Sequence, residues 1–136
     1  MNNAPKNAGV TAQSPLIFVV DDEPLICEVL DISLRQAGFR VQIFTDPQNA
    51  AEAFEGADPK PDLLATDYTM PVMDGLELIH RCRATTPALR TILFSGILSA
   101  LLLSSKPVRP DKFITKPFIP SKFVEEVRLL LGGPVR

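Results

Sequence analysis

The sequence is poor in the residues that several common chemistries need. Lys and Arg number 14 against 16 Asp and Glu, a formal net charge of −2. That balance lacks the cationic excess on which counterion-driven nucleic-acid binding depends, so free DNA or RNA is not the expected ligand. Histidine occurs once, at His80, and cysteine twice, at Cys27 and Cys82, 55 positions apart with no C-x-x-C spacing. Neither a disulfide framework nor a zinc site follows, and both cysteines are expected as buried thiols. Long apolar runs are missing too. The longest uncharged stretch, Thr91 to Ser105, holds fifteen residues that include Ser95, Gly96 and Ser99, short of the roughly 20 apolar residues of a membrane span. The N-terminus, MNNAPKNAGVTAQSP, has no apolar central region and does not read as a secretory signal, which makes a cytoplasmic address the default expectation.

What is present describes one folded unit. A chain of 136 residues that is 46% hydrophobic and 22% charged has room for a single domain and is far from the composition of disorder. Residues 1–15 lack apolar periodicity and read as a disordered arm. Leu16-Ile17-Phe18-Val19-Val20 is an unbroken apolar run, the pattern of a strand buried on both faces, and it stops at Asp21-Asp22-Glu23-Pro24. From Pro24 to Ala37, Ile26, Val29, Leu30, Ser33 and Leu34 recur at helical spacing, with Gly38 as the stop. Phe39–Phe44 alternates as an edge strand would, and Pro47–Phe54 is a short Ala-rich helix. A third apolar run, Leu63–Thr66, ends at Asp67, and a loop, Tyr68–Gly75, leads to a helix over Leu76–Ala84. Thr91–Phe94 is a fourth strand, ending at Ser95-Gly96. Ile97–Ser105 fits a helix or a strand, its leucines favouring helix. Lys112–Thr115 is a fifth strand ending at Lys116-Pro117, and Pro120–Leu131 a last helix.

Strands alternating with helices predict an α/β fold: a doubly wound, five-stranded parallel sheet with helices on both faces, of the flavodoxin-like kind. Ligands of such sheets sit beyond the carboxyl ends of the strands. There the sequence places Asp21 and Asp22, Asp67, Ser95 and Lys116. Three neighbouring carboxylates repel one another unless a cation offsets them, and oxygen ligands without His or Cys suit Mg2+. Mg2+ commonly binds one or two carboxylates together with a phosphate, so a phosphoryl group is the missing ligand. Asp67, alone at its strand end, is the candidate nucleophile toward phosphorus. Lys116 and the Ser95 hydroxyl are placed to take phosphoryl oxygens.

Four motifs then carry a resemblance. VVDDEP at 19–24, TDYTMPVMDG at 66–75, FSG at 94–96 and FITKPF at 113–118 resemble the receiver domain of two-component response regulators, in order and in separation: 46 residues from Asp21 to Asp67, 28 on to Ser95 and 21 on to Lys116. The resemblance runs from Leu16 to Leu131 and implies a stand-alone, chemotaxis-receiver-like protein. It implies that Asp67 accepts phosphate from a histidine kinase or histidine phosphotransfer protein. Asp22, Asp67 and the backbone carbonyl of Thr69 would hold Mg2+, with Asp21 acting through water, and Lys116–Pro117 would be cis. Ser95 and Phe113 would be the switch pair, with Ser95 moving to the phosphoryl group and Phe113 turning inward. The face made by the Ile97–Ser105 segment, the fifth strand and the last helix would then repack. Thr69 and Ile97 would flank the path of hydrolytic water. Ile97 cannot orient water, so slow autodephosphorylation is expected.

Each signal also has a structural explanation. Asp21 and Asp22 could cap a helix, Asp67 could be a turn residue, and Asp74-Gly75 starts the third helix, which accounts for the loop bearing Met70 and Met73. His80, among Arg81 and Arg83, reads as a solvated helix face. Phe113 could be a core residue. Two other functions remain open: a phosphorylation-independent docking module, and a haloacid-dehalogenase-like phosphatase, which the absent D-x-D-x-T/V signature disfavours. The expected protein is a phosphoacceptor, not a turnover enzyme. With a receiver at 16–131 between an arm at 1–15 and a tail at 132–136, the expected output is a downstream protein that reads its surface. Leu98, Leu101, Leu102 and Leu103, four leucines in six positions, predict an apolar face for that partner or for a homodimer.

Overall fold

The computed structural model of the chain describes residues 9–96, 103 and 105–132. Five parallel strands form one sheet: β1 (Leu16–Val20), β2 (Arg40–Phe44), β3 (Leu63–Asp67), β4 (Arg90–Ser95) and β5 (Lys112–Thr115), in the order β2-β1-β3-β4-β5. Among the described residues four helices cover it: α1 (Pro24–Gln36), α2 (Pro47–Gly56), α3 (Gly75–Thr85) and α4 (Pro120–Leu130). This is the doubly wound fold expected, with β2 at an edge.

The two layers follow from strand periodicity. On one face Ile17, Val19, Leu63, Ala65, Ile92 and Phe94 pack against Leu30 and Leu34 of α1 and Phe123 and Val127 of α4. On the other, Phe18, Val20, Leu64 and Leu93 pack against Phe54 of α2 and Leu78 and Ile79 of α3. Successive residues of a central strand therefore serve opposite cores, which is why the central strands are apolar without alternation. Cys27 and Cys82 are both free and buried, as expected. Burial pushes the thiols up, to about 11 and about 12, so both stay protonated.

Three features bear on the sequence expectation. Of the arm expected at 1–15, residues 9–15 are described, and they carry local hydrogen bonds and a bond from Arg40. Ser14 Oγ accepts from Thr11 N at 2.8 Å and donates to Gly9 O at 3.1 Å, while Arg40 Nε donates to Ser14 O at 2.8 Å. Local polar bonds order this segment, and apolar periodicity cannot report them. Leu103, expected on an outward apolar face, is buried with Leu89 and Leu93. Ile97, Leu98, Leu101 and Leu102 lie outside the described residues. The apolar surface that is described lies elsewhere: of six exposed large apolar side chains, five (Leu25, Val29, Ile32, Ile119 and Leu129) belong to α1, α4 or the residue leading into α4. Val29, one of the residues that recur at helical spacing in α1, is 39% exposed. A groove of about 490 Å³ between Leu25, Ile26, Val29, Pro117 and Phe118 opens on this side, next to Lys116.

Candidate functional site

The register of the sheet brings the strand ends together. Val20 pairs with Phe44 and Thr66, Asp67 with Phe94, and Ser95 with Thr115, so Asp21, Asp67, Ser95 and Lys116 all emerge at one edge. Lys116 N donates to Ser95 O at 2.7 Å, carrying the ladder one residue past β5. The Lys116–Pro117 bond is cis, as expected, and so is Asp58–Pro59, which was not foreseen.

Asp21 and Asp67 are buried and Asp22 is exposed, and one oxygen from each lies within 4.8 Å of the others. Lys116 Nζ lies 3.0 Å from Asp21 Oδ2, 3.1 Å from Asp67 Oδ1 and 3.4 Å from Glu23 Oε1. Burial is the main force on Asp67: together with the neighbouring Asp21 it outweighs Lys116 and pushes the carboxyl up to about 6. Burial also raises Asp21, against the Glu23 N–H and Lys116, which lower it. Lys116 is held above its ordinary range although burial opposes its charge, because Asp21 and Asp67 together prevail. The site thus stores uncompensated negative charge. A hard dication fits it, since all three candidate ligands are carboxylate oxygens and two of them are buried with raised pKa values.

Ser95 supplies the second sign of a missing ligand. Its hydroxyl is buried and is the only described side-chain polar atom that is buried without a hydrogen-bond partner. An orphaned buried hydroxyl costs free energy unless something accepts or donates there, and oxygen-rich ligands do both. Thr69 is exposed two residues beyond Asp67, and Phe113 is half-buried against the α2/α3 core. His80 is exposed on α3.

The structural explanations divide. Neither Asp21 nor Asp22 caps α1: the N-cap position is Glu23, with no side-chain cap bond, and Asp21 Oδ1 accepts from Glu23 N at 2.9 Å. Asp74, by contrast, caps α3 in a reciprocal box with Glu77. Sequence reading missed three residues that shape the site. Glu23 reaches Lys116; Cys27 Sγ donates to Asp21 O at 3.2 Å; and Gly75 N donates to Tyr68 O at 2.9 Å, tying α3 to the end of β3. The Asp74-Gly75 pair could have signalled the last, because glycine marks close backbone approach as well as turns.

Between them Val72 adopts φ 72°, with Met73 N bonded to Pro71 O at 2.8 Å across it. A β-branched residue in this region is strained, and Val72 is 96% exposed, so no packing offsets the strain. Val72→Gly is expected to raise stability by about 1 kcal/mol, the relieved strain exceeding the extra freedom of glycine in the unfolded chain. Chemical denaturation checks this, and a lower midpoint for the variant would refute it.

A model of the response regulator receiver domain matches residues 17–128. The chain belongs to this family. The receiver is 33% identical over 117 residues to the response regulator receiver protein CpdR of Brucella abortus, covering 85% of the chain and 95% of that protein. It is 29% identical over 120 residues to the probable transcriptional regulatory protein TcrX of Mycobacterium tuberculosis, covering 88% of the chain and 50% of that protein. The chain spans about half the length of this and the other transcriptional regulators it matches. Among solved structures it resembles a response regulator receiver protein from Sinorhizobium medicae, with 27% identity, a TM-score of 0.79, and coverage of 89% of this chain and 97% of that one. Receiver domains generally bind Mg2+ at an acidic pocket, and in this chain Asp21, Asp22 and Asp67 form an acidic cluster. No described helix is long and apolar enough to cross a membrane.

Proposed function

We propose that this receiver accepts a phosphoryl group on Asp67 from a histidine kinase or a histidine phosphotransfer protein. The observation that carries the reading is the combination of a carboxylate cluster with two buried members, one lysine between Asp21 and Asp67, and an unpartnered Ser95 hydroxyl at the same sheet edge. In the transfer an Asp67 oxygen attacks phosphorus and a new O–P bond forms. The P–N bond to the donor imidazole breaks, and its electron pair stays on nitrogen. Lys116 and Ser95 hold the equatorial oxygens, where charge is spread in the transition state. Asp21, Asp22, Asp67 and the Thr69 carbonyl would hold Mg2+, which supplies positive charge to the same oxygens. The protein serves as phosphoacceptor and turns over no substrate of its own.

The added group brings roughly 1.5–2 negative charges beside Lys116 and Ser95. Ser95 gains the partner it lacks, and Phe113, half-buried on the neighbouring strand, repacks with it. The signal leaves through the face of β5 and α4, read by a downstream protein; the segment 97–105, expected to share that face, lies for the most part outside the described residues. Incubation with acetyl phosphate and Mg2+ should add one phosphoryl mass to the chain and none to Asp67→Asn. An unmodified parent chain, or a variant modified as readily, would overturn the reading.

A further inference from the structure

Lys116 is surrounded by one acid more than the phosphoacceptor reading uses. An ammonium group has three protons to donate. Nζ donates to Asp21 Oδ2 and to Glu23 Oε1 and pairs with Asp67 Oδ1. Three carboxylates therefore crowd the ammonium, two of them as hydrogen-bond acceptors. Asp21 and Asp67 belong to the cluster that could share a cation, and Glu23 does not. Its side chain is 63% exposed, and its 3.4 Å contact with Nζ is the longest of the three. Glu23 reaches the lysine from the solvent side, from the residue just before α1, where it forms no side-chain cap.

We propose that Glu23 is a positioning residue that competes with a phosphoryl oxygen for Lys116 and so slows modification of Asp67. The inference rests on the phosphoacceptor reading and adds a control on its rate. For Lys116 to take a phosphoryl oxygen, it must release one of its three partners. The bonds to Asp21 and Asp67 are shorter and shielded from water. The bond to Glu23 is long and open to water, so it is the one released. Exposed pairs of this kind are weak, which limits the effect to a few-fold.

The test compares the parent chain with Glu23→Gln, which keeps the shape and removes the charge. Each is modified by dianionic acetyl phosphate and by monoanionic phosphoramidate, with Mg2+ saturating. Glu23→Gln should react about two- to fivefold faster, by the same factor with both donors, because the donor's charge does not alter the contest for Lys116. Glu23→Asp, whose shorter side chain keeps the charge but draws back from Nζ, should also be faster than the parent. An unchanged or slower Glu23→Gln overturns the inference alone. An acceleration that scales with donor charge also overturns it, since it marks simple repulsion of the incoming anion. A parent chain that neither donor modifies overturns the phosphoacceptor reading and this inference together.

Discussion

Gly75→Ala is expected to destabilise the protein by about 2–3 kcal/mol and to slow modification of Asp67. A methyl group at this position would press onto the backbone carbonyl oxygen of Asp67 and approach Leu93 Cδ1 to 2.6 Å. Neither neighbour can yield easily. The carbonyl belongs to the end of β3, and Leu93 is fully buried in β4. Helix propensity argues the other way, since alanine is favoured over glycine by about 1 kcal/mol within a helix. Gly75 is the first residue of α3, where that preference is smallest, and the overlap is with backbone, so the steric term wins. The same shift displaces the residue proposed as phosphoacceptor, because Gly75 N and Tyr68 O join the start of α3 to the end of β3. Gly56→Ala is the control: an added methyl there meets nothing within 4 Å, so its stability should equal or exceed that of the parent. Denaturant unfolding and acetyl phosphate labelling of both variants check the prediction. A Gly75→Ala variant as stable as Gly56→Ala would refute it.

The parallel sheet was legible because the apolar runs are short, unalternating and interrupted at their carboxyl ends. Leu16–Val20 and Leu63–Thr66 could only be strands covered on both faces, and the polar residues that stop them are the site itself. Asp67 and Lys116 could be brought together from 49 residues apart without a structure, since a parallel sheet puts all strand ends on one edge. Glu23 was not legible in the same way. Its position follows Asp22, but its contact depends on how far a flexible side chain reaches across the mouth of the site, which no periodicity encodes. Val29 was harder to place for a related reason. It recurs at helical spacing with Ile26, Leu30 and Leu34, but it lies at the margin of that stripe and is 39% exposed, which only the packing of the neighbouring elements decides. The bonds of Ser14 and Arg40 were not legible either, because they are specific rather than hydrophobic.

Asp67→Asn should stabilise the protein by about 2 kcal/mol at pH 7 in the absence of divalent cations. The sign follows from the direction of the shift. Burial, with Asp21 beside it, pushes the folded-state value of Asp67 up to about 6 from an ordinary 3.8. A carboxyl with a raised value binds its proton more tightly in the folded than in the unfolded chain, so stability falls as pH rises from about 4 to about 6 and stays reduced above that. Two units correspond to roughly 3 kcal/mol at most. An amide cannot ionise, so the variant escapes this loss, while Lys116 retains Asp21 and Glu23 as partners. The difference should therefore shrink as pH is lowered and disappear near pH 4, where both chains carry a neutral group at this position. Mg2+ should act in the opposite sense to the substitution. A cation at a hundredfold its dissociation constant stabilises the state that binds it by about 3 kcal/mol. The parent chain, with all three carboxylates, should gain more from it than the variant does. Thermal unfolding of both chains between pH 4 and 8, with EDTA and with Mg2+, measures each arm. A variant less stable than the parent in EDTA at pH 7, or a difference that does not change with pH, would mean that Lys116 compensates Asp67 fully and that the site holds no excess negative charge for a cation to neutralise.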